Sequence, residues 1–224
     1  GDTPVIDLLR AEWLRTLGKK QQWDMFDAEF PRLINKDIEL VCYALQSRRR
    51  TQDMAALHEA RGLWLDGKTL PDSCVTLFDA ARGAGIIHNH DISQRLRLSL
   101  ELNNVSLATA LAEQLEDHYA GLPAELKKAA ADPDRYLEKL SLAKASEGKR
   151  IIALFALQRL AKQNTGLAAS RWAKISARFP KTERHYFYGR LAYEAARNLD
   201  ERALKWYKAA ANTPLNEQQL AWRV

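Results

Sequence analysis

The stretch YFYGRLAYEAARNLDERALKWYKAAANTP, from Tyr186 to Pro214, carries the pattern on which the predicted fold rests. Small residues recur at helical spacing in both of its halves, namely Gly189, Ala192, Ala203 and Ala210. Small side chains let two helices approach closely, and Pro214 is a stop because proline cannot continue a helix. The stretch therefore predicts two antiparallel helices joined by a short turn.

Helical patterns also fill the remainder of the chain. In KRIIALFALQRLAK (Lys149–Lys162) the apolar residues cover such a wide face that the helix is expected to be contacted on two sides. Asn104 is predicted to cap the helix that starts at Val105. Asp91 is predicted to cap an earlier helix, which starts immediately after Asp91. Alternating strand patterns and hairpin dipeptides are absent, and the Gly and Pro breaks are short, so we expect about a dozen helices.

These patterns predict an all-α fold, a superhelical array of antiparallel helical hairpins. The Tyr186–Pro214 hairpin resembles a degenerate tetratricopeptide unit, so the array is described as a degenerate TPR-like α-solenoid. A solenoid is quasi-linear, and we therefore expect a single helical domain over residues 1–224. A compact irregular bundle is the alternative architecture.

Composition limits the class of protein without naming a function. The 224 residues are 46% hydrophobic, which suffices for a sizeable core, and no apolar run is long enough to predict a membrane span. The net charge of +6 favours polyanions such as nucleic acid, a membrane surface or an acidic wall polymer. The two cysteines, Cys42 and Cys74, fit one disulfide or two buried thiols equally well.

The stretch GLWLDGKT (Gly62–Thr69) matches the phosphate-binding P-loop pattern, but its surroundings do not fit. A P-loop follows a strand and opens a helix, whereas MAALHEAR before Gly62 is helical and Pro71 follows Thr69 too closely. Gly67 is instead predicted to follow a helix end in the left-handed conformation. We expect no nucleotide or other cofactor.

Other polar groups also favour structural roles. HNHD (His88–Asp91) places its imidazoles on opposite sides of an extended loop, so we expect an exposed loop and no metal site. Arg48–Arg50 suits the negative end of a helix dipole. The six tryptophans are expected to lie mainly in the core, with Trp64 and Trp206 packed between hairpins. No group of Ser, His and Asp forms a nucleophile motif, so no catalytic residue is assigned.

The longer stretch GLWLDGKTLPDSCVTLFDAARGAGII (Gly62–Ile87) closely resembles a segment of the soluble lytic murein transglycosylases. Three more stretches resemble segments of that family in the same order: RAEWLRTLGKKQQWDMF, LVCYALQSR and LDERALKWYKAAANTPLNEQQLAWRV. Together they cover most of the chain. The resemblance implies the family's N-terminal superhelical, ring-forming (U-type) domain, truncated before the lysozyme-like catalytic domain.

The family's catalytic motifs do not occur in this chain. Glu147 is followed by Gly148, where the family has Glu-Ser, and residues 192–196 read AYEAA in place of AYNAG. No catalytic residue is therefore carried over. The parent enzyme implied by the resemblance is periplasmic and cleaves the β-1,4 bond between N-acetylmuramic acid and N-acetylglucosamine, leaving a 1,6-anhydro product.

The resemblance further implies a disulfide between Cys42 and Cys74, with Gly67, Lys68 and Pro71 forming the turn that delivers Cys74. The implied partners are peptidoglycan glycan strands and, secondarily, cell-wall synthesis proteins. Two alternatives stay open at this point. A free-standing TPR-like adaptor would bind a protein segment and keep both thiols free, and a helical nucleic-acid-binding repeat, which we do not expect, would bind with steep salt dependence.

Overall fold

The computed structural model describes residues 4–115, 121–142, 146–210, 213 and 217–222, and these ranges contain helices and no strand. The α-helices are α1 (Pro4–Lys19), α2 (Trp23–Glu29), α3 (Ile38–Arg50), α4 (Ala55–Trp64), α5 (Val75–Gly83), α6 (Asn89–Glu101), α7 (Val105–Gln114), α8 (Leu122–Ala131), α9 (Pro133–Lys139), α10 (Glu147–Gln163), α11 (Thr165–Ile175), α12 (Lys181–Arg197), α13 (Ala203–Ala210) and α14 (Glu217–Ala221). Short 3₁₀ turns lie at Phe30–Arg32, Asp72–Cys74 and Ser176–Arg178. The all-α prediction is confirmed.

The helices fall into two compact units, Gly1–Leu107 and Ala108–Val224. Each unit has its own set of packed helices and is described by itself. The single helical domain over residues 1–224 stays a prediction. Among the described residues, no helix combines the length and the apolar character needed to cross a membrane.

In the first unit, an aromatic cluster joins α1, α2 and α3. Phe26 is fully buried, and the centre of its ring lies 6.1 Å from the ring centre of Trp23 and 6.4 Å from that of Tyr43. Gly18 lies directly against the Tyr43 ring, where a methyl group would come within 2.5 Å of a ring carbon. A glycine near the end of α1 therefore lets α1 and α3 pack closely.

In the second unit, α10 is the central helix. It contacts α8 and α9 as well as α11 and α12. Every residue from Ile151 to Leu157 is buried, because neighbouring helices cover opposite faces. The prediction of a helix contacted on two sides is confirmed. Trp172 of α11 completes this core against Phe179 and Phe187, with ring separations of 5.0 and 4.7 Å.

The Tyr186–Pro214 hairpin is present as α12 and α13, which pack against each other. All four of its small residues are buried, namely Gly189, Ala192, Ala203 and Ala210. Pro214, the predicted stop, lies outside the described residues. Trp206 is buried in α13, and Trp64 is buried in α4, as predicted. Trp13 and Trp222 differ from the expectation of a core position, because they are 47% and 45% exposed.

Candidate functional site

Cys42 and Cys74 form a disulfide in the first unit. Cys42 lies within α3, Cys74 ends the 3₁₀ turn before α5, and both side chains are fully buried. Their Cα atoms are 5.0 Å apart, across a sequence separation of 32 residues. The bond therefore fixes the start of α5 to the middle of α3 and closes a loop that contains α4.

Hydrogen bonds hold the turn of Cys74 against α3 independently of the disulfide. The Ser73 hydroxyl donates to the Glu39 carbonyl at 3.1 Å, and the Gln46 amide donates to the Ser73 carbonyl. The Cys74 N–H donates to the Pro71 carbonyl at 2.9 Å, which closes the turn. Pro71 immediately precedes the turn with φ of −59°, the value that its ring enforces.

Gly67 is buried where the chain passes over α6. A Cβ at this position would lie 2.5 Å from the carbonyl carbon and oxygen of Leu98 and 2.9 Å from the Ser99 nitrogen. Its φ is not in the left-handed region, and α4 already ends at Trp64, so the predicted left-handed helix terminus is wrong. Glycine is needed here because two backbones approach each other too closely for any side chain.

Lys68 contributes its backbone to the same turn, while its side chain is exposed. Its N–H donates to the Asp66 carboxylate at 2.9 Å, and its carbonyl accepts from Arg95 at 3.3 Å. A phosphate-binding loop needs this N–H free and needs a strand before it, whereas α4 precedes it. The structural-turn role of Gly67, Lys68 and Pro71 stays a prediction, which the substitution Gly67→Ala would test.

Arg95 is a buried residue that the sequence analysis did not single out. Its guanidinium lies 4.2 Å from the Trp64 ring centre and 5.6 Å from that of Phe78, and only 4% of the residue is exposed. Burial lowers the pKa of Arg95 to about 10. The sequence did carry a signal for this burial. Arg95 lies three residues after Ile92 and four before Ser99, which places it on the buried face of α6, and arginine is seldom found on such a face.

The HNHD segment is not the extended loop that the sequence predicted, because His88 caps α6 and Asn89 to Asp91 form its first turn. His88 and His90 are exposed, and no group of three metal-ligating side chains occurs within the described ranges. The prediction that Asp91 is the N-cap is wrong, because α6 begins at Asn89. Asp91 instead lies in the first turn, where its carboxylate accepts the His88 N–H at 2.9 Å and pairs with Arg61 at 2.6 Å.

The Asn104 cap of α7 is confirmed, since its side chain accepts the Leu107 N–H at 3.2 Å.

We expect the Asp91 contacts to make the first unit sensitive to acid. Burial works against the charged carboxylate, but the bonds from Arg61 and His88 prevail and hold the pKa of Asp91 below its usual 3.8. The stabilisation that the charged Asp91 carboxylate gives to the folded state is present above pH 4. It is lost as the pH falls through the lowered pKa that Asp91 has in the folded state. Asp91→Asn should lower Tm by about 2–4 °C at pH 7, and the difference should shrink toward pH 2.5. Calorimetry at both pH values measures it.

The matched control for this prediction is Asp24→Asn. The Asp24 side chain is 99% exposed, and its pair with Arg50 spans 3.5 Å, so Tm should barely change at either pH. If Asp91→Asn lowered Tm by the same amount at pH 7 and at pH 2.5, that result would contradict the electrostatic explanation.

The arginine run Arg48–Arg50 ends α3, as predicted. Arg48 forms ion pairs with Asp53 at 2.7 Å and with Glu59 at 2.9 Å. The charge of Arg48 is therefore neutralised locally, whereas Arg49 and Arg50 are exposed, and Arg50 lies 3.5 Å from the exposed Asp24.

A cavity of about 620 Å³ lies in the second unit, between α8, α9 and the first turn of α10; we call it the basic cavity. Its charged lining residues are Glu125, Asp132, Lys128, Arg135, Lys139 and Lys149. The four cations outnumber the two carboxylates, and apolar groups of Ala131, Tyr136 and Leu140 complete the wall. A cavity of this size suits a small organic ligand or a short segment of a polymer.

Comparison with known proteins gives relatives of one kind. The chain is 27% identical over 164 residues to the soluble lytic murein transglycosylase of Salmonella typhimurium, and 26% identical over 165 residues to that of Escherichia coli. Each alignment covers 72% of this chain and 25% of the relative. The chain thus spans about a quarter of the length of these curated relatives. No family model matches it.

Solved structures agree with these relatives. An inactive variant of the lytic transglycosylase Slt from Pseudomonas aeruginosa matches with a TM-score of 0.82 and 27% identity, over 100% of this chain and 36% of that chain. The 70-kDa soluble lytic transglycosylase in complex with bulgecin A matches with a TM-score of 0.69 and 20% identity, over 98% of this chain and 34% of that one. The second match concerns the fold alone.

Proposed function

We propose that this chain, which is related to the soluble lytic murein transglycosylases over about a quarter of their length, is a non-catalytic helical part of such an enzyme. The observation that carries the proposal is the match of the whole chain to the Slt structure, at a TM-score of 0.82 and 27% identity. The parent enzyme would cleave the β-1,4 bond between N-acetylmuramic acid and N-acetylglucosamine and leave a 1,6-anhydro product. This part would help to form a ring and position glycan strands.

Two properties of the chain support a role at the cell wall. The net charge of +6 attracts a polymer whose peptides carry carboxylates, and the basic cavity concentrates part of that charge. The Cys42–Cys74 disulfide suits an oxidising compartment, which supports a periplasmic location. The proposed partners are peptidoglycan strands and, through the parent enzyme, cell-wall synthesis proteins.

The alternative of a free-standing TPR-like adaptor has less support. It predicted two free thiols, whereas Cys42 and Cys74 are bonded. An adaptor would also be expected to have a groove whose residues bind a protein segment. Among the described residues, the basic cavity offers charge for an anionic ligand instead.

The test is cosedimentation of the chain with purified peptidoglycan sacculi. We expect the protein to pellet at about 50 mM salt and to be partly released at about 500 mM, because salt screens charge attraction. Sacculi boiled in detergent and treated with protease should bind equally well, since the proposed ligand is the wall polymer itself. Chitin, a related glycan without peptides, is the control and should bind less.

Two results would contradict the proposal. Protein that stays in the supernatant with sacculi at low salt would remove the wall-binding role. Binding that disappears after protease treatment of the sacculi would favour the adaptor, because the true ligand would then be a wall-associated protein.

A further inference from the structure

We propose that the basic cavity binds the free C-terminal carboxylate of a short peptide with small apolar side chains. The inference rests on three properties of the cavity: positive charge that its own carboxylates do not neutralise, a buried hydroxyl without a well-formed hydrogen bond, and an apolar wall. The identification of the natural ligand as a peptide of the cell wall rests on the proposed function, whereas the carboxylate chemistry does not.

Positive charge in the basic cavity is only partly neutralised by its own carboxylates. Glu125 pairs with Lys128 at 3.3 Å on the same helix. The Asp132 carboxylate accepts the Arg135 backbone N–H at 3.0 Å and so caps α9. The side chains of Arg135, Lys139 and Lys149 have no ion pair within the part of the chain that the structure describes. These three cations are available to an incoming anion, and the planar arginine can hold both oxygens of a carboxylate.

Tyr136 supplies a poorly satisfied hydrogen-bond donor in the same wall. The residue is 8% exposed, and its hydroxyl has no hydrogen bond of normal geometry to any described residue. Burial and the nearby charge of Glu125 raise the pKa of Tyr136, so the hydroxyl keeps its proton at neutral pH. The Glu125 carboxylate lies near this hydroxyl without forming a bond of normal geometry, so the donor is poorly satisfied and a well-placed ligand oxygen would satisfy it better.

The remaining wall and the size of the cavity decide between classes of anion. Ala131, Leu140 and the ring of Tyr136 present apolar surface beside the cations. A bare inorganic anion would leave this surface unused, and it would fill little of a cavity of about 620 Å³. A peptide end joins a carboxylate to small apolar side chains and therefore matches both parts of the wall.

The experiment is a titration of the isotopically labelled chain with N-acetyl-alanyl-alanine, followed by two-dimensional ¹H–¹⁵N NMR. We expect the free acid to shift signals of α8 and α9, and the matching C-terminal amide to bind at least tenfold more weakly, because it lacks the charge. The double variant Arg135→Gln/Lys139→Gln should weaken binding about tenfold or more. Both side chains are exposed, so this variant should fold.

The control variant Lys127→Gln/Lys174→Gln likewise removes two exposed positive charges of the second unit, but neither lysine lines the cavity. It should bind the dipeptide like the unmodified chain. Tyr136→Phe keeps the ring and removes a hydroxyl that makes no well-formed hydrogen bond, so Tm should change little while binding weakens several-fold. A merely structural tyrosine would not separate these two readouts.

Equal binding of acid and amide would overturn the proposal, as would equal weakening by the two double variants. Inorganic phosphate binding as tightly as the dipeptide would reduce the cavity to a general anion site and would also overturn it. The wall-binding proposal is tested separately. Dipeptide binding without cosedimentation with sacculi would retain the carboxylate site and reject the wall as its source, whereas the reverse would reject this site alone.

Discussion

Replacing Cys42 and Cys74 together by alanine is expected to lower the free energy of unfolding by roughly 3–4 kcal/mol. The disulfide joins residues separated by 32 positions, and cutting it restores conformational freedom to that loop in the unfolded chain. Alanine is the better replacement, because serine would add two hydroxyls at fully buried positions. Urea unfolding, monitored by circular dichroism, measures the change.

Reduction of the unmodified chain provides the control. The chain has only these two cysteines, so a reductant should destabilise the unmodified protein and leave the double variant unchanged. Thiol labelling of unreduced, denatured protein should find no reactive group. A loss below about 1 kcal/mol would mean that the hydrogen bonds of Ser73 and Gln46 hold the turn without help from the disulfide.

The second large effect is expected from Gly67→Ala, which should lower the free energy of unfolding by about 2–3 kcal/mol. The new methyl group would lie 2.5 Å from the Leu98 carbonyl, and that neighbour is backbone within α6. It cannot turn away as a side chain could, so the turn or the helix must shift. The same urea experiment measures the loss.

Gly62→Ala is the matched control, five residues earlier in α4. No atom lies within 4 Å of the Cβ that this substitution would add. Alanine should therefore stabilise the helix by about 0.5–1 kcal/mol, since it loses less backbone freedom on folding. Two variants of equal stability would contradict the close approach of the turn to α6, and with it the structural-turn interpretation of the GLWLDGKT segment.

Several features could be predicted from sequence because their signals are local. The apolar pattern of Lys149–Lys162 predicted a helix contacted on two sides, and α10 has that surrounding. Small residues predicted the α12–α13 hairpin, and all four of them are buried there. The Cys42–Cys74 pairing came from family resemblance and not from spacing, since spacing alone left the thiol state open.

Features that depend on long-range contacts were missed. An aspartate at the start of a helix has the same local sequence pattern whether it is the N-cap or lies in the first turn. The role of Asp91 depends partly on its ion pair with Arg61, thirty positions earlier in the chain. Gly67 has no unusual φ, so its requirement appears only once α6 is placed beside it. The basic cavity combines α8, α9 and α10, and no single stretch of sequence shows that Tyr136 is buried among their charges.

The disulfide also determines how unit 1 would respond to a pulling force. Tension applied to the two ends of the chain passes directly from Cys42 to Cys74 through their sulfur atoms, so the backbone between them, across a sequence separation of 32, bears no load. About 110 Å of extended backbone is thereby withheld from stretching. For a protein proposed to hold a wall polymer, α4 and the turn at Gly67 would therefore not be stretched, even while residues outside the loop, α6 among them, are drawn out.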